Sequence, residues 1–375
     1  MISRQDIQRL LHHPGEGRPI LSVFLDMTVD SNNKRTAYGL FLAKERTQHQ
    51  ELASDREAHH VVALGEAFDR VQRWIDESFD EANKGVAIYA EVGGEWLDAV
   101  QFPIPVKNRT VVAPYPLVAP LAQLLGHANR HGVIVVDRER LLMYVLDLGV
   151  PVAEHEVETE GYPTPHDVRA GGEAAKDFQK RKAQEVRHFF KEFAHEVAEF
   201  DRRYRLDDLI ILGTEDNVTN FVKFLSPNVM EKVVHTDRAP VVPTSAAVVQ
   251  RLTPFFTDQI RREELHTVDM LRDRVAQRHL AVSGFGETLE RLQEGKVDSL
   301  VVARDLERAG GHCMRCGFYL AQPDSGCGYC GGPIQRDVDL FEAMIRMAEE
   351  QEIPVTFVDP GALSDLDGAG GILKF

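Results

Sequence analysis

All four cysteines of the 375-residue chain fall inside "CMRCGFYLAQPDSGCGYC", as Cys313, Cys316, Cys327 and Cys330. Two Cys-x2-Cys pairs constrain a fold severely. Each pair sits on a tight turn that turns both sulfurs to one side, and four thiolates in tetrahedral array suit Zn²⁺. The glycines of "CGYCGG" supply backbone angles that other residues resist. The ten residues between the pairs are fewer than in a long zinc ribbon but enough for a small hairpin. Four protein ligands saturate the ion, so the expected zinc is structural. It should staple a knuckle over about 308–335 that is too small to carry a core of its own. His312 is not needed as a ligand and reads as a solvated neighbour. Cysteines confined to one such cluster point to metal in a reducing compartment rather than to disulfides.

Bulk properties narrow the class. Hydrophobic content of 43% and charged content of 27% are ordinary for a globular chain, and the length suggests two or three domains. A formal net charge of −16 argues against a surface that binds nucleic acid everywhere, and leaves room for a local basic tip. The opening "MISRQDIQRLLHHPGEG" has no apolar signal core, and no apolar run is long enough to span a membrane. A cytoplasmic protein is expected.

The pattern along the chain is α/β throughout. "PILSVFLDM" (19–27) reads as a buried strand, followed by a polar loop, "DSNNKRT" (30–36), and helices near 37–52 and 61–79. Two strands flank Gly93-Gly94, and a Pro-rich stretch leads into a short helix. This closes an N-terminal α/β domain at 1–128. A middle domain, 129–244, opens with three antiparallel strands over 131–159, a meander of the ribonuclease-H type. It continues through a long helix (about 174–204) and a buried strand at 207–214. A C-terminal domain, 245–375, begins with a helical connector. It is expected to form an α/β sandwich into which the zinc knuckle is inserted.

The middle domain carries the most unusual segment, "VRAGGEAAKDFQKRKAQEVRHFF". Gly171 and Gly172 precede Glu173, and seven cations lie within 169–191: Arg169, Lys176, Lys180, Arg181, Lys182, Arg187 and Lys191. With three acids in the same span the segment is net positive by four, inside a strongly anionic chain. Lys176, Lys180, Arg187 and Lys191 fall on one side of a helix, while Val186, Phe189, Phe190, Phe193 and Val197 form an apolar stripe elsewhere. Spacing alone leaves two meanings open for the cations: a solvated face, or contact with RNA phosphates.

A Gly-Gly-x loop, a long basic helix containing Arg187-His188 and a three-domain layout resemble the archaeo-eukaryotic class I peptide chain release factors. The likeness is closer to their bacterial relatives, which are related to Pelota and the hibernation factor Balon. "LAVSGFGETLERLQEGKVDSLVVARDL" (280–306) and "GGILKF" (370–375) resemble the start and end of that family's third domain. The resemblance implies a tRNA-mimicking factor that enters the ribosomal A site and presents the Gly171-Gly172-Glu173 loop to the peptidyl-transferase centre. It implies ribosomal RNA along the helix, with His188 among the contacts, and a translational GTPase as a further partner. Neither a membrane nor DNA is among the expected partners.

Two departures bear on function. Glu173 stands where the family has glutamine; glutamine donates and accepts, whereas an ionised carboxylate only accepts. Peptidyl-tRNA ester hydrolysis through Glu173 therefore competes with occupancy of the centre without chemistry. The polar loop after the first strand lacks the family's stop-codon motif but offers Lys34 and Arg35 to phosphate. A zinc-stapled RNA-binding protein without ribosomal role is a third reading. A metal-dependent nuclease would need Asp137, Asp147 and Asp208 to converge, and nothing in the pattern requires that. No Walker loop is present, and "SGFGET" (283–288) reads better as a helix start than as a phosphate site.

Overall fold

The computed structural model describes residues 2–13, 17–31, 34–35, 37–52, 58–126, 129–137, 140–158, 173–238, 244–304, 306–323 and 325–375. Side chains of 58 and 173–186 are outside that description. The chain divides into two compact units, one made of Met1–His127 with Asp258–Phe375 and the other of Ala128–Thr257. Among the described residues no helix is long and apolar enough to cross a membrane.

The first part of the larger unit contains α1 (Arg4–Leu11), β1 (Ile20–Asp26), α2 (Ala37–Leu52), α3 (Ala58–Ser78), β2 (Gly85–Glu91), β3 (Leu97–Phe102), β4 (Arg109–Ala113) and α4 (Ala119–Leu125). The strands form one antiparallel sheet in the order β3-β2-β1-β4. Six consecutive residues of β1 are buried because both faces of the sheet are covered. Leu21, Val23 and Leu25 pack with Leu64, Phe68 and Val71 of α3. On the other face the Ser22 hydroxyl accepts the Leu117 amide at 3.1 Å, and the Tyr89 hydroxyl donates to the Leu117 carbonyl at 2.9 Å.

The smaller unit is built on β5 (Arg130–Val136), β6 (Arg140–Asp147) and β7 (Val150–Glu158), the antiparallel meander expected from sequence. It continues with α5 (Glu173–Tyr204), β8 (Asp208–Gly213), α6 (Glu215–Phe221), α7 (Pro227–Met230) and β9 (Val233–Arg238). The sheet order is β7-β6-β5-β8-β9, with β8 parallel to both of its neighbours. One face packs on α5. The other receives Val248 and Leu252 of α8 (Ser245–Ala276), so the beginning of that helix belongs to this unit.

The remainder returns to the larger unit: β10 (Ala281–Ser283), α9 (Phe285–Gln293), β11 (Val297–Ala303), β12 (Ala309–Cys313), β13 (Tyr319–Leu320), β14 (Ile334–Asp339), α10 (Leu340–Glu350), β15 (Val355–Val358) and β16 (Ala369–Leu373). Its main sheet runs β10-β16-β11-β15. A Cβ at Gly370 would lie 2.6 Å from the side chain of Leu271, so the glycine lets α8 lie directly on β16.

Glu342 of α10 is one of the ties between the two distant stretches of the larger unit. Its carboxylate is buried and accepts the amides of Val118 and Ala119 at 2.7 and 2.9 Å, at the start of α4. Beside it, Arg346 lies 4.4 Å from the Tyr115 ring centroid and donates to the Pro116 carbonyl at 3.1 Å. Burial pushes the Glu342 carboxyl up to about 7, against the pull of the two amides. A folded-state value raised from the usual 4.5 means that the native state holds the proton longer than the unfolded chain. The contribution is complete below 4.5 and is lost as pH rises through about 7. Calorimetry of wild type against Glu342→Gln from pH 4 to 8 should show the difference moving in favour of the glutamine variant by on the order of 3 kcal/mol. A gap independent of pH would contradict a buried, titrating carboxylate.

Candidate functional site

The cysteine segment folds as a three-stranded sheet, β13-β12-β14, that places Cys313 at the end of β12 opposite Ile334. Each Cys-x2-Cys pair closes a turn. The Gly317 amide donates to the Cys313 carbonyl at 2.9 Å, and the Gly331 amide to the Cys327 carbonyl at 2.7 Å. Both glycines adopt φ near +70°, at +76° and +68°, the left-handed region where a side chain is strained. The four sulfurs lie within 4.8 Å of one another. Cys313 and Cys330 are 3.5 Å apart, and Cys316 and Cys327 are 3.7 Å apart. A thiolate tetrahedron with metal–sulfur bonds of about 2.3 Å has edges of about 3.8 Å, so the four cysteines can hold one tetrahedral ion. The Cys316 amide points at the Cys313 sulfur at 3.5 Å, a contact that favours negative charge on that sulfur.

The knuckle is fixed to its unit by polar contacts. The Gln293 amide side chain pairs with the Tyr319 backbone in both directions, at 2.6 and 3.1 Å. The Tyr329 hydroxyl donates to Glu290 at 2.6 Å. His312 packs its ring against that of Tyr319, tilted by 30° with 4.5 Å between centroids, and is part-buried, a packing role in place of the solvated one expected.

In the smaller unit α5 starts at Glu173, directly behind the glycine pair, and runs 32 residues. Phe190, Phe193, Val197 and Phe200 are buried against Ile134, Val136, Met143 and Val145 of the sheet. Arg187, His188 and Lys191 are exposed. His188 lies 3.1 Å from Glu192 one turn on, while Arg187 and Lys191 have no ion-pair partner among the described residues. Arg169, Gly171 and Gly172 lie outside the described residues, as do the side chains of Glu173, Lys176, Lys180, Arg181 and Lys182.

Lys34 and Arg35 have different surroundings. The Arg35 guanidinium donates to the carbonyls of Met27 at 2.9 Å and Glu81 at 2.6 Å and lies over Phe79. Those contacts occupy it within its own unit. Lys34 is exposed.

The three aspartates do not meet. Asp208 sits beside His131 at 3.3 Å, and Asp147 lies opposite Arg130 in the β5–β6 register, both near the start of β5. Asp137 follows the other end of β5, about 20 Å away by strand rise, and accepts from Asn217 at 2.9 Å. The four cysteines are the one group of three or more potential metal ligands among the described residues.

Sequence reasoning missed Glu342. It also missed a cavity of about 790 Å³ in the larger unit whose lining includes Lys107, Arg109, Arg304 and Arg308. Both are assembled from segments some two hundred residues apart, and no local pattern marks them.

A family model described as bacterial archaeo-eukaryotic release factor family 10 matches residues 116–254. The chain is 22% identical to the peptide chain release factor subunit 1 of Pyrococcus abyssi, over 99% of this chain and 97% of that protein. It is 25% identical to the pelota homolog of Methanocaldococcus jannaschii over 32% of this chain and 36% of that one. Among solved structures, a ribosome-bound archaeal Pelota aligns over 100% of this chain and 94% of its own, with 14% identity and a TM-score of 0.42.

Gly332 supplies a test of the thiolate site. A Cβ there would stand 3.2 Å from the sulfurs of both Cys313 and Cys330 and 2.6 Å from the Cβ of Arg315. Gly332→Ala should lower metal affinity by on the order of tenfold in a chelator competition, through distortion of the ligand tetrahedron. Unchanged affinity would mean that the four sulfurs do not share an ion.

Proposed function

We propose, for a chain that belongs to the archaeo-eukaryotic release factor and Pelota superfamily, a role as a ribosome-associated translation factor. It takes the place of tRNA in the A site during rescue, stress or hibernation. The observation that carries this reading is the geometry of α5. Its first residue follows the glycine pair directly, its apolar stripe is buried, and Arg187 and Lys191 face solvent unpaired among the described residues. A helix so held offers its cations to RNA phosphates at no cost in broken ion pairs. Lys34 adds an exposed cation in the other unit; Arg35, held by backbone carbonyls, is not carried forward.

The loop of Gly171, Gly172 and Glu173 is assigned to the peptidyl-transferase centre, as an occupant. A carboxylate in place of an amide keeps the backbone N–H but loses the side-chain donor, so ester hydrolysis is the less favoured chemistry. The knuckle is assigned a structural Zn²⁺ held by Cys313, Cys316, Cys327 and Cys330. When bound, the ion cross-links two turns that have little apolar core beneath them. A translational GTPase is proposed as a partner in delivery.

Co-sedimentation with ribosomes over a salt series tests the helix. Wild type should bind, and Arg187→Glu with Lys191→Glu should weaken binding and reduce the salt slope by about 1.4–1.8, since each phosphate contact contributes about 0.7–0.9. A double variant with wild-type affinity and slope would remove α5 from the RNA interface. Ribosomes holding labelled peptidyl-tRNA should retain the ester when the factor is added. Peptide release that disappears in Glu173→Ala would replace occupancy with the enzymatic reading.

A further inference from the structure

The metal ligands account for only part of the knuckle. Tyr329 lies between Cys327 and Cys330 and is 55% exposed, and Met314 lies between Cys313 and Cys316 and is 64% exposed. An exposed tyrosine on a short loop is ordinarily free to rotate. Here its hydroxyl is bonded to Glu290 at 2.6 Å and its ring rests on Phe318, with centroids 4.4 Å apart. The ring is therefore held at both ends while remaining half open to solvent. Arg315, from the other turn, reaches across to the Cys330 carbonyl at 3.3 Å, next in sequence to Tyr329. That bond uses one of the five N–H donors of an exposed guanidinium. Around the pair the surface is bare: a Cβ added at Gly317, Gly328 or Gly331 would meet nothing within 4 Å.

We propose that the tip of the knuckle is a stacking site for one unpaired RNA base, with Tyr329 as the platform and Arg315 as the donor to the adjoining phosphate. Size favours RNA over protein. Two exposed apolar side chains fall far short of the roughly 800 Å² per partner of a standard protein interface. One base and one phosphate need a single fixed ring and a single cation. Immobilising the ring before binding lowers the ordering cost of association, the use to which the Glu290 and Phe318 contacts are put. The site deepens the ribosomal reading by naming an RNA contact remote in sequence from α5, and it rests on that reading only for the source of the strand.

The test uses full-length, zinc-loaded protein and a fluorescein-labelled single-stranded RNA of about ten nucleotides, followed by anisotropy at low salt. Tyr329→Leu keeps apolar packing on Phe318 and removes the aromatic face; Tyr329→Phe keeps the face and removes the hydroxyl. The leucine variant should lose on the order of tenfold in affinity, the phenylalanine variant about twofold, at equal zinc content. Arg315→Gln should weaken binding and lower the salt slope by about 0.7. The leucine and phenylalanine variants binding alike, or wild type failing to bind the oligonucleotide, would overturn the proposal. So would a Tyr329→Leu that weakens ribosome binding while leaving oligonucleotide binding intact, because the tip would then be a protein contact. Because the oligonucleotide arm contains no ribosome, RNA binding through Tyr329 by a factor that does not sediment with ribosomes would sink the ribosomal role and leave the stacking site standing.

Discussion

Burial of Phe190, Phe193, Val197 and Phe200 against the β5–β6 face is the contact on which the functional geometry of this molecule depends. Four large side chains of this kind contribute several kcal/mol in area removed from water. They fix the azimuth of a helix about 48 Å long by its residue count. Once that azimuth is set, Arg187 and Lys191 have no freedom to turn inward; they face water because the phenylalanines do not. A cation's direction is thus decided by apolar packing rather than by any charge near it.

The thiolate knuckle solves a different problem. Its three short strands span few apolar residues, so the turns are held by hydrogen bonds, by glycines at positive φ and by the shared approach of four sulfurs. The Gln293–Tyr319 pairing then attaches this small sheet to α9 as one more strand-like hydrogen-bond pair would. Rigidity at the tip follows from attachment at the base, and this allows Tyr329 to stay ordered while exposed.

What could be read in the sequence was what is local. The alternating and continuous apolar runs of 20–26 and 130–158 gave the strands, and the stripe from Phe189 to Val197 gave the buried face of α5. The Cys-x2-Cys spacing gave the cysteine cluster, since four cysteines within eighteen residues on two tight turns come together in space. Strands β4 and β14 were not recognised. Arg109–Ala113 is flanked by prolines, and Ile334–Asp339 is mostly polar because it is exposed, so neither carries the apolar signature of a strand. Grouping of the two ends of the chain into one unit was equally hidden. One of its ties is Glu342 reaching Val118 and Ala119, and an acid inside an amphipathic helix looks like a surface residue until its partners are known. The fate of Arg35 could not be foreseen either, because its acceptors are backbone carbonyls, which have no sequence identity.

Charge distribution ties these parts together. A chain of net charge −16 should be repelled by RNA, and on the smaller unit Glu154, Glu156 and Glu158 stand exposed at alternate positions along the edge strand β7, in part offset by Arg140, which pairs with Glu156 and Glu158. Arg187 and Lys191 belong to the same unit but to the helix over the opposite face from that on which Leu142 and Tyr144 lie. Register pairs Glu156 with Leu142 and Glu154 with Tyr144, which assigns the acids to the face away from the helix. Cations and acids are thus separated by the thickness of the sheet. On the proposed reading, attraction through the helix face with repulsion elsewhere would make a wrongly oriented encounter with RNA costly and the right one permitted. Salt at physiological strength screens beyond about 8 Å, so the acids act on a strand laid against their own face and hardly at all on one held by α5.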